Sequence, residues 1–490
     1  MYLLSLTGAL NMKYVSNFYF FNDLKKRLEK DVDVIISHND ALDITIFFQE
    51  QMCNIGAFNR DLFPQLILNP ELSCVEVLTG IARDVDIEKQ DVYQIIFNGL
   101  MLIYDHKRDK FYLLDISQTI RRPTGDSNVE AQNIIGARDG FTENYKDNIS
   151  LFRTRLKNSN LLIDEFKIGK RSKTWVGLLH IEDIHNEKKR EEIIELLNTV
   201  DIDALITVND LLPYLSKRYI FPVCNYVGLP DLATTKLLEG QFVLIVDRLP
   251  LVLTLPTSLA DLMEERVDYL ENKPSRFIQR MIVLFCLFMS TIFLGIFLSV
   301  LTYQIDFLSL PLLSTFSVTQ KGAIFPIAFE ILFVLFLFEL YHLVGFRSSE
   351  KTLSSTVVLI GGLIIGQNLI DSGLVGVVVI TLTALSFLST FVVTNNIHFI
   401  FGISVVRLIF ILAALFFGIY GITTMLIIFS VHFSKQSFLG QHLLYPFVPF
   451  DYNGFINFFR ARANKKRVKR NTALHLTDDT VRGDENEENN

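Results

Sequence analysis

The pattern of hydrophobic and polar positions divides the 490-residue chain into three parts. Residues 13 to about 276 alternate between short β-branched or aromatic runs and helical stretches. Residues 277–450 are overwhelmingly apolar, and the remaining residues are charged. This order predicts a soluble region, then a membrane region, then a polar tail.

The soluble region has the pattern of an α/β protein. Strand-like runs occupy 43–48, 92–103, 111–116, 175–181 and 242–246, and helical periodicity covers 188–199 and 209–219. Strands that alternate with helices predict an α/β domain with mixed sheets. The loop 117–128, which contains Pro123 and Gly125, predicts two subdomains, residues 1–120 and 121–276. Because no signal peptide precedes this region, we expect it to stay in the cytoplasm.

Four apolar stretches in the predicted helical membrane domain, residues 277–450, are long enough to cross a bilayer. They are 281–302, 325–345, 374–394 and 404–432, and a helix needs about 20 residues to cross the hydrocarbon. Gly418 and Gly421 lie midway along the last stretch, where they could bend it or allow close packing.

The stretch 355–394 is apolar but interrupted. Gly361, Gly362 and Gly366 precede a group of polar residues and a further glycine: Gln367, Asn368, Asp371 and Gly373. Gly362 and Gly366 form a small-xxx-small pair that favours helix packing. Packing does not explain the polar residues, so a pore or ion path is the alternative. Gln367 and Asp371 share a face if the helix continues that far.

Basic residues predict the orientation, because cytoplasmic flanks collect lysine and arginine. Such residues flank the first stretch, follow the second and fill 460–470, whereas the loop 303–322 has only Lys321. All basic clusters lie inside if the number of crossings is even. We therefore predict four crossings plus a re-entrant segment at 355–372, with both termini in the cytoplasm.

Two carboxylates, Glu330 and Glu339, lie inside the second apolar stretch. Intramembrane carboxylates are costly to bury and face protein or water. Nine residues at about 100° each place the two on opposite faces. Each is predicted either to pair with Arg407 or with a neighbouring backbone group, or to serve an ion path.

Composition and motifs give no support for an enzyme. The chain has no phosphate-binding loop, dinucleotide fingerprint, nucleophile elbow or zinc motif, and its four cysteines lack metal-ligand spacing. We therefore expect no catalytic residue, cofactor or metal. Within the tail, residues 451–490, the basic run 460–470 predicts contact with anionic lipid headgroups rather than nucleic acid. The acidic end, 478–490, has the composition of a disordered tail.

Residues 136–155 read GARDGFTENYKDNISLFRTR, which resembles the block G-x-R-E-G-F-x-E followed by N-x-x-L-x-R-x-R of the GerA-type spore germination receptor A subunits. Matches continue through nearly the whole chain after residue 40. They include a G-x-x-S-K-T-x-V-like block at 169–176, Pro230 and Asp231 of an R-P-D block, and Glu330, Glu339 and Arg407. Asp139, Leu229, Arg248 and Gln367 depart from the usual residues. The departures at Leu229 and Arg248 also fit a divergent paralogue.

The resemblance implies a subunit of a nutrient receptor in the inner membrane of a bacterial endospore. Similar proteins work with a transporter-like B subunit and a lipoprotein C subunit, and they are thought to oligomerise, as a pentamer, into a nutrient-gated channel for monovalent cations. The soluble domain of similar proteins contributes oligomer contacts, for which Arg138, Glu143, Arg153 and Arg155 are the candidates.

We expect Gly362, Gly366, Gln367 and Asp371 to form the constriction, with Glu330 or Glu339 setting cation preference. A non-conducting scaffold that assembles the receptor around its partner is the alternative. A membrane-bound enzyme is disfavoured by the missing motifs.

Overall fold

The computed structural model describes residues 17–40, 43–57, 60, 82–84, 96–116, 139–158, 160–215, 221–264, 273–319, 324–347, 366–459, 470, 472–478 and 480. The chain forms two compact units. The α/β unit contains residues 1–217, 224–256 and 469–490, and the helical unit contains 218–223 and 257–468.

The α/β unit contains ten strands and six helices among its described residues. The strands are β1 (Val34–Asn39), β2 (Ile44–Gln49), β3 (Ala82–Asp84), β4 (Leu100–Asp105), β5 (Lys110–Asp115), β6 (Leu161–Ile168), β7 (Thr174–Ile181), β8 (Asn225–Val227), β9 (Phe242–Val246) and β10 (Val252–Leu255). The helices are α1 (Asn17–Leu28), α2 (Ile55–Ala57), α3 (Tyr145–Arg155), α4 (Glu187–Asn198), α5 (Leu212–Leu215) and α6 (Pro230–Leu238).

These strands form two five-stranded sheets, in the orders β1-β2-β4-β5-β3 and β6-β7-β9-β10-β8. Every pairing among the described strands is antiparallel, for example Val34 with Gln49 in the first sheet and Leu161 with Ile181 in the second. The α/β class is confirmed, but the sheets are antiparallel rather than mixed. A buried apolar run does not reveal strand direction, which depends on the connection between strands.

Apolar side chains hold each sheet against its helices. In the first sheet, Leu24 and Leu28 lie four residues apart on one face of α1, are fully buried and share a cluster with Phe47 of β2. In the second, Ile149 and Phe152 of α3 pack with core residues of β6, β7 and β9. Full burial of one such side chain contributes about 1.5–3 kcal/mol. Each subdomain therefore has its own core.

Besides the helical residues 366–371, the helical unit contains eight α-helices and one short β-hairpin among its described residues. The eight helices are α7 (Leu259–Leu262), α8 (Lys273–Thr291), α9 (Phe293–Tyr303), α10 (Leu310–Thr319), α11 (Ile327–Arg347), α12 (Val377–Val393), α13 (Ile397–Lys435) and α14 (Tyr452–Phe459). The strands of the hairpin are β11 (Ser437–Phe438) and β12 (Gln441–His442). By length and composition, α11 and α13 could each cross a membrane, and the α8–α9 pair, which is bent by 48°, could form a third span.

The longest helix, α13, folds back on itself at Gly418. That residue has φ 57° and ψ −140°, which are not helical angles. Phe410 and Phe429 lie on opposite sides of it, yet their ring centroids are 5.5 Å apart. Near the two ends of α13, Phe399 and Phe433 both contact Phe221. The stretch 404–432, predicted as one span, is therefore part of a helical hairpin with antiparallel arms, 397–417 and 419–435.

Helices α11 and α12 run in the same direction. Phe338 stacks on Phe387 with ring centroids 5.3 Å apart, and His342 contacts Phe391, four residues further along both helices, at 5.0 Å. Parallel neighbours need a connection that returns along their length. The predicted re-entrant segment 355–372 falls in the connection between α11 and α12. Residues 348–365 lie outside the described residues, and 366–371 are helical.

The helices define two ends of the helical unit. One, called here the basic end, holds Arg280, which donates to Met263 O, and Thr394, which donates to Leu262 O. The other, the far end, holds Tyr303 beside Gly418, together with the starts of α11 and α12. Both ends of the α13 hairpin meet at the basic end.

Candidate pore and contact residues

The helical residues 366–371 present a polar face. Gln367 and Asp371 are exposed in the isolated chain, and the Gln367 Nε2 donates to Asp371 Oδ1 at 3.0 Å and to Oδ2 at 3.2 Å. The predicted shared face is confirmed. A polar pair on an otherwise apolar surface is costly against lipid, so this face suits water or another subunit.

This polar pair lies near the far end rather than midway along the helices. Ile324, just before α11, donates its N–H to Gly373 O at 3.2 Å. Gly373 has φ 69° and ends the helical stretch before α12. Asp371 is thus within two residues of the turn, and Gln367 lies one helical turn deeper. This position corresponds to the mouth of a pore more closely than to a central constriction.

Gly366 has open space where a Cβ would be, with no heavy atom within 4 Å in the described residues. The packing among the described residues therefore does not require a small residue there. Gly362, its predicted partner in a small-xxx-small pair, lies outside the described residues.

Glu339 and Arg407 form an ion pair between α11 and α13. The Arg407 Nη2 lies 3.0 Å from Glu339 Oε1, and the same oxygen accepts from Ser404 Oγ at 2.6 Å. Arg407 is buried and also donates to Thr390 Oγ1 of α12 at 3.3 Å. The predicted structural pairing with Arg407 is present, and it joins three helices.

Glu330 also has a partner within the chain. It is completely buried, and its Oε2 accepts from the N–H of Gly376 at 3.1 Å, at the position that caps α12. A negative charge at a helix N-terminus is favourable because it satisfies a backbone donor and complements the helix dipole. The carboxylate therefore fastens the start of α12 to the first turn of α11, which is the backbone pairing predicted as one alternative.

Arg153, predicted as a subunit contact, is fully buried within one chain. Its Nη2 lies 2.7 Å from Asp33 Oδ1 and 3.3 Å from Asp31 Oδ1, and its guanidinium lies over the ring of Phe97 at 4.4 Å. These partners belong to the first subdomain, whereas Arg153 belongs to the second. Burial raises the pKa of Asp31 to about 7, although Arg153 opposes this shift. The cluster joins the two subdomains and leaves Arg153 no exposed surface.

The other predicted contact residues differ in their surroundings. Arg155 bridges Asp139 and Asp231, with both N–O distances 2.6 Å, so Asp231 has an arginine partner although Leu229 replaces the usual neighbouring arginine. Glu143 is exposed. Arg138 lies outside the described residues. Of the four candidates, Glu143 is the one that the structure describes as open to a neighbouring subunit.

Sequence reasoning missed Asp31 and Asp33 as the partners of Arg153. The two acids stand two residues apart in the segment KDVDV before β1, a position that also suits an exposed turn. They lie about 120 residues upstream of Arg153, so only the docking of the two subdomains brings them together.

An α/β unit with two antiparallel sheets, followed by a bundle of apolar helices with internal ion pairs, defines a membrane protein with a large α/β unit. The chain belongs to the GerA family: the model described as Bacillus/Clostridium GerA spore germination protein matches residues 22–473.

Among relatives, spore germination protein XA of Bacillus anthracis is 31% identical over 409 residues, which cover 83% of this chain and 82% of that protein. Spore germination protein GerQA of Bacillus cereus is 28% identical over 87% of both chains. Among solved structures, the N-terminal domain of the A subunit of the Bacillus megaterium spore germinant receptor GerK3 matches 48% of this chain and 92% of that domain, with 21% identity and a TM-score of 0.33.

Proposed function

We propose that this chain is the membrane subunit of a nutrient receptor that triggers endospore germination, and that several copies form a nutrient-gated pore for monovalent cations. Family membership supports the receptor role. The exposed Gln367–Asp371 pair is the observation that supports the pore role. A carboxylate and an amide on the surface of an apolar bundle need water or another subunit beside them.

In this proposal the polar pair forms a ring at the pore mouth. One Asp371 carboxylate from each copy supplies a negative field that concentrates cations before they enter. Glu330 and Glu339 act differently, because both are engaged inside the chain. Their role is to hold α11, α12 and α13 together, and the cation preference rests with Asp371.

The helix directions support six crossings with both termini on one side. The α8–α9 pair runs from the basic end to the far end, α11 returns, a segment that includes 366–371 runs out again, α12 returns, and the two arms of α13 add the last two crossings. This arrangement keeps Arg276 of α8 and Arg347, the last residue of α11, at the basic end, as a cytoplasmic orientation of that end requires.

Cysteine labelling distinguishes six crossings from four crossings with a dip. Phe307 is 82% exposed near the far end, Tyr452 is 67% exposed near the basic end, and Ser372 is exposed in the turn after residue 371. We expect a membrane-impermeant maleimide to label Ser372→Cys from the same side as Phe307→Cys. Labelling from the side that modifies Tyr452→Cys would support the dip instead.

The pore is tested by purifying the chain, reconstituting it in planar bilayers and recording current. We expect cation-selective current with the receptor partners and nutrient present, and a fall in the cation-to-anion permeability ratio for Asp371→Asn. Asp306→Asn is the matched control, because it also removes an exposed carboxylate near the far end. Equal ratios for the parent and Asp371→Asn would contradict the proposed ring.

The substitution Gly366→Leu tests whether Gly366 is needed for contacts between subunits or for packing within one chain. Because no atom of the described residues lies within 4 Å of the position of its Cβ, we expect the unfolding free energy of the variant to change by no more than about 0.5 kcal/mol. If the copies approach one another there, the opening of the pore should nevertheless change. Unchanged gating would remove Gly366 from the proposed gate.

A non-conducting scaffold is the second candidate, and the internal pairing of Glu330 and Glu339 favours it. A bundle whose buried charges are satisfied inside each chain has no need of a lumen. A reconstituted receptor that binds nutrient but passes no current through this chain would support the scaffold.

The remaining assignments follow from the same proposal. The partners are further copies of this chain, which assemble as a pentamer, together with a transporter-like B subunit and a lipoprotein C subunit. Anionic lipid binds the basic run 460–470. The location is the inner membrane of the spore, with both termini toward the core. Co-purification from spore membranes with B- and C-type subunits tests the assembly.

A further inference from the structure

The end of the chain returns to the α/β unit and lies on its second subdomain. Arg470 and residues 472–478, called here the tail strap, contact the segment 184–189 and the end of α6. Thr477 donates its N–H to Ile184 O at 3.0 Å and its hydroxyl to His185 O at 2.8 Å. These bonds fix the strap to the loop between β7 and α4.

Side chains of the subdomain bind the backbone of the strap. Asn186 Nδ2 donates to His475 O at 2.7 Å, and Lys189 Nζ donates to Ala473 O at 3.2 Å. At the start of the strap, Arg470 Nε donates to Leu238 O at 2.9 Å. Recognition through backbone groups is typical of a groove that holds a peptide.

Two leucines anchor the strap. Leu474 is 1% exposed, and Leu476 packs against the core cluster of the second subdomain. A Cβ on Gly240, which has φ +88°, would overlap the side chain of Leu476. Gly240 therefore meets two requirements, a positive φ and room for the leucine. The side chain of His475 between the two leucines is exposed.

We propose that the surface formed by 184–189 and the end of α6 is a peptide-docking groove whose occupant is this chain's own tail. The strap acts as a latch there. It adds to the covalent connection between the α/β unit and the helical unit at 468–469, which is separate from those at 217–218, 223–224 and 256–257. The groove accepts a short segment with leucines two residues apart, and the proposal does not depend on ion conduction.

A binding experiment in detergent tests the groove directly. The chain is truncated after residue 469, and a fluorescent peptide of residues 469–480 is added while its anisotropy is recorded. We expect saturable binding to the truncated chain and at least about tenfold weaker apparent affinity for the full chain, whose groove is occupied. Replacing Leu476 by Asp in the peptide should weaken binding by at least about tenfold, since a charge would enter an apolar site.

His475→Asn in the peptide is the matched control. His475 has φ 48°, a conformation that Asn tolerates, and its side chain makes no use of the groove in the described residues. Its affinity should stay within about twofold of the parent peptide. Equal binding to truncated and full chains, or equal affinity of the parent and Leu476→Asp peptides, would overturn the proposal.

Hydrogen exchange on the full chain provides a second measurement that does not depend on the truncated protein. The amide of Thr477 should be protected in the parent and exchange at least about tenfold faster in full-length Leu476→Asp. A Thr477 amide that exchanges as fast as an open peptide in the parent would show that the strap does not occupy the groove.

Discussion

The turn of the α13 hairpin should depend on glycine at position 418. Gly418→Ala places a Cβ on a residue with φ 57° and ψ −140°, a conformation that is sparsely populated for other residues and costs about 1–3 kcal/mol. The new Cβ would lie 3.0 Å from Tyr303 Cδ2. Tyr303 is held there by its hydroxyl, which donates to Leu415 O at 2.6 Å. Displacing the ring would lose a hydrogen bond worth about 0.5–1.5 kcal/mol.

Together these effects predict a loss of about 1.5–4.5 kcal/mol in the unfolding free energy of the helical unit. The assay is reversible unfolding in mixed micelles by increasing amounts of denaturing detergent. Gly366→Ala is the control, because the φ of Gly366 is not in the left-handed region and its Cβ would meet no atom within 4 Å among the residues that the structure describes. Its unfolding free energy should change by no more than about 0.5 kcal/mol. Equal effects of the two substitutions would refute the hairpin reasoning.

Three further predictions concern buried charges. Arg153→Met leaves Asp31 and Asp33 buried without their cation and should lower the unfolding free energy of the α/β unit by about 3–5 kcal/mol. The fluorescence of the chain's single tryptophan reports this unfolding. A loss below about 1 kcal/mol would contradict a stabilising role of the Arg153 cluster. Asp31 keeps its proton in the folded chain up to about pH 7, whereas the unfolded residue loses it near pH 3.8. The unfolding free energy of the α/β unit should therefore fall as the pH rises from about 3.8 to about 7, by at most about 1.4 kcal/mol per pH unit. Asp31→Asn should flatten the fall, and identical slopes would exclude Asp31 as its source. A double-mutant cycle with Arg407→Met and Glu339→Gln should give a coupling of about 0.5–3 kcal/mol in micelles, whereas additive effects would mean that the ion pair contributes nothing.

Local properties of the chain were predictable. The span 325–345 became α11, and the span 374–394 became α12, because twenty apolar residues in sequence need no tertiary information to be recognised. The strands expected at 43–48, 111–116, 175–181 and 242–246 are β2, β5, β7 and β9, and the helix expected at 188–199 is α4. The helix expected at 209–219 is limited to α5 and a short 3₁₀ turn within the described residues.

Features that depend on distant contacts were not predictable. A glycine within an apolar helix fits a gentle bend as well as a reversal, and the choice at Gly418 depends on the packing of Phe410 against Phe429. Counting this stretch as one crossing in turn favoured a re-entrant segment, because an even number was needed. The turn at Gly418 thus also affects the count of crossings from which the re-entrant segment was predicted.

In the candidate site, too, local features were predictable and features that depend on distant contacts were not. The spacing of Gln367 and Asp371 predicted their contact, since both lie on one helix, and Arg407 was foreseen as a partner for one of the two carboxylates. Which carboxylate it binds depends on the register of α11 against α13. The sequence also placed the polar break in the middle of the stretch 355–394, whereas the contact of Ile324 with Gly373 puts it near an end of the bundle.

The position of the tail strap at the end of the chain affects how the protein is made. The groove is complete once residue 256 has been synthesised, but its occupant begins at residue 470, after the whole helical unit. At about 5–20 residues per second, the intervening stretch takes roughly 10–40 s to translate. During that time the groove is an exposed apolar surface that chaperones can recognise. Closing of the strap therefore marks a chain whose helical unit has been translated, and a protein terminated before residue 470 would keep the groove open.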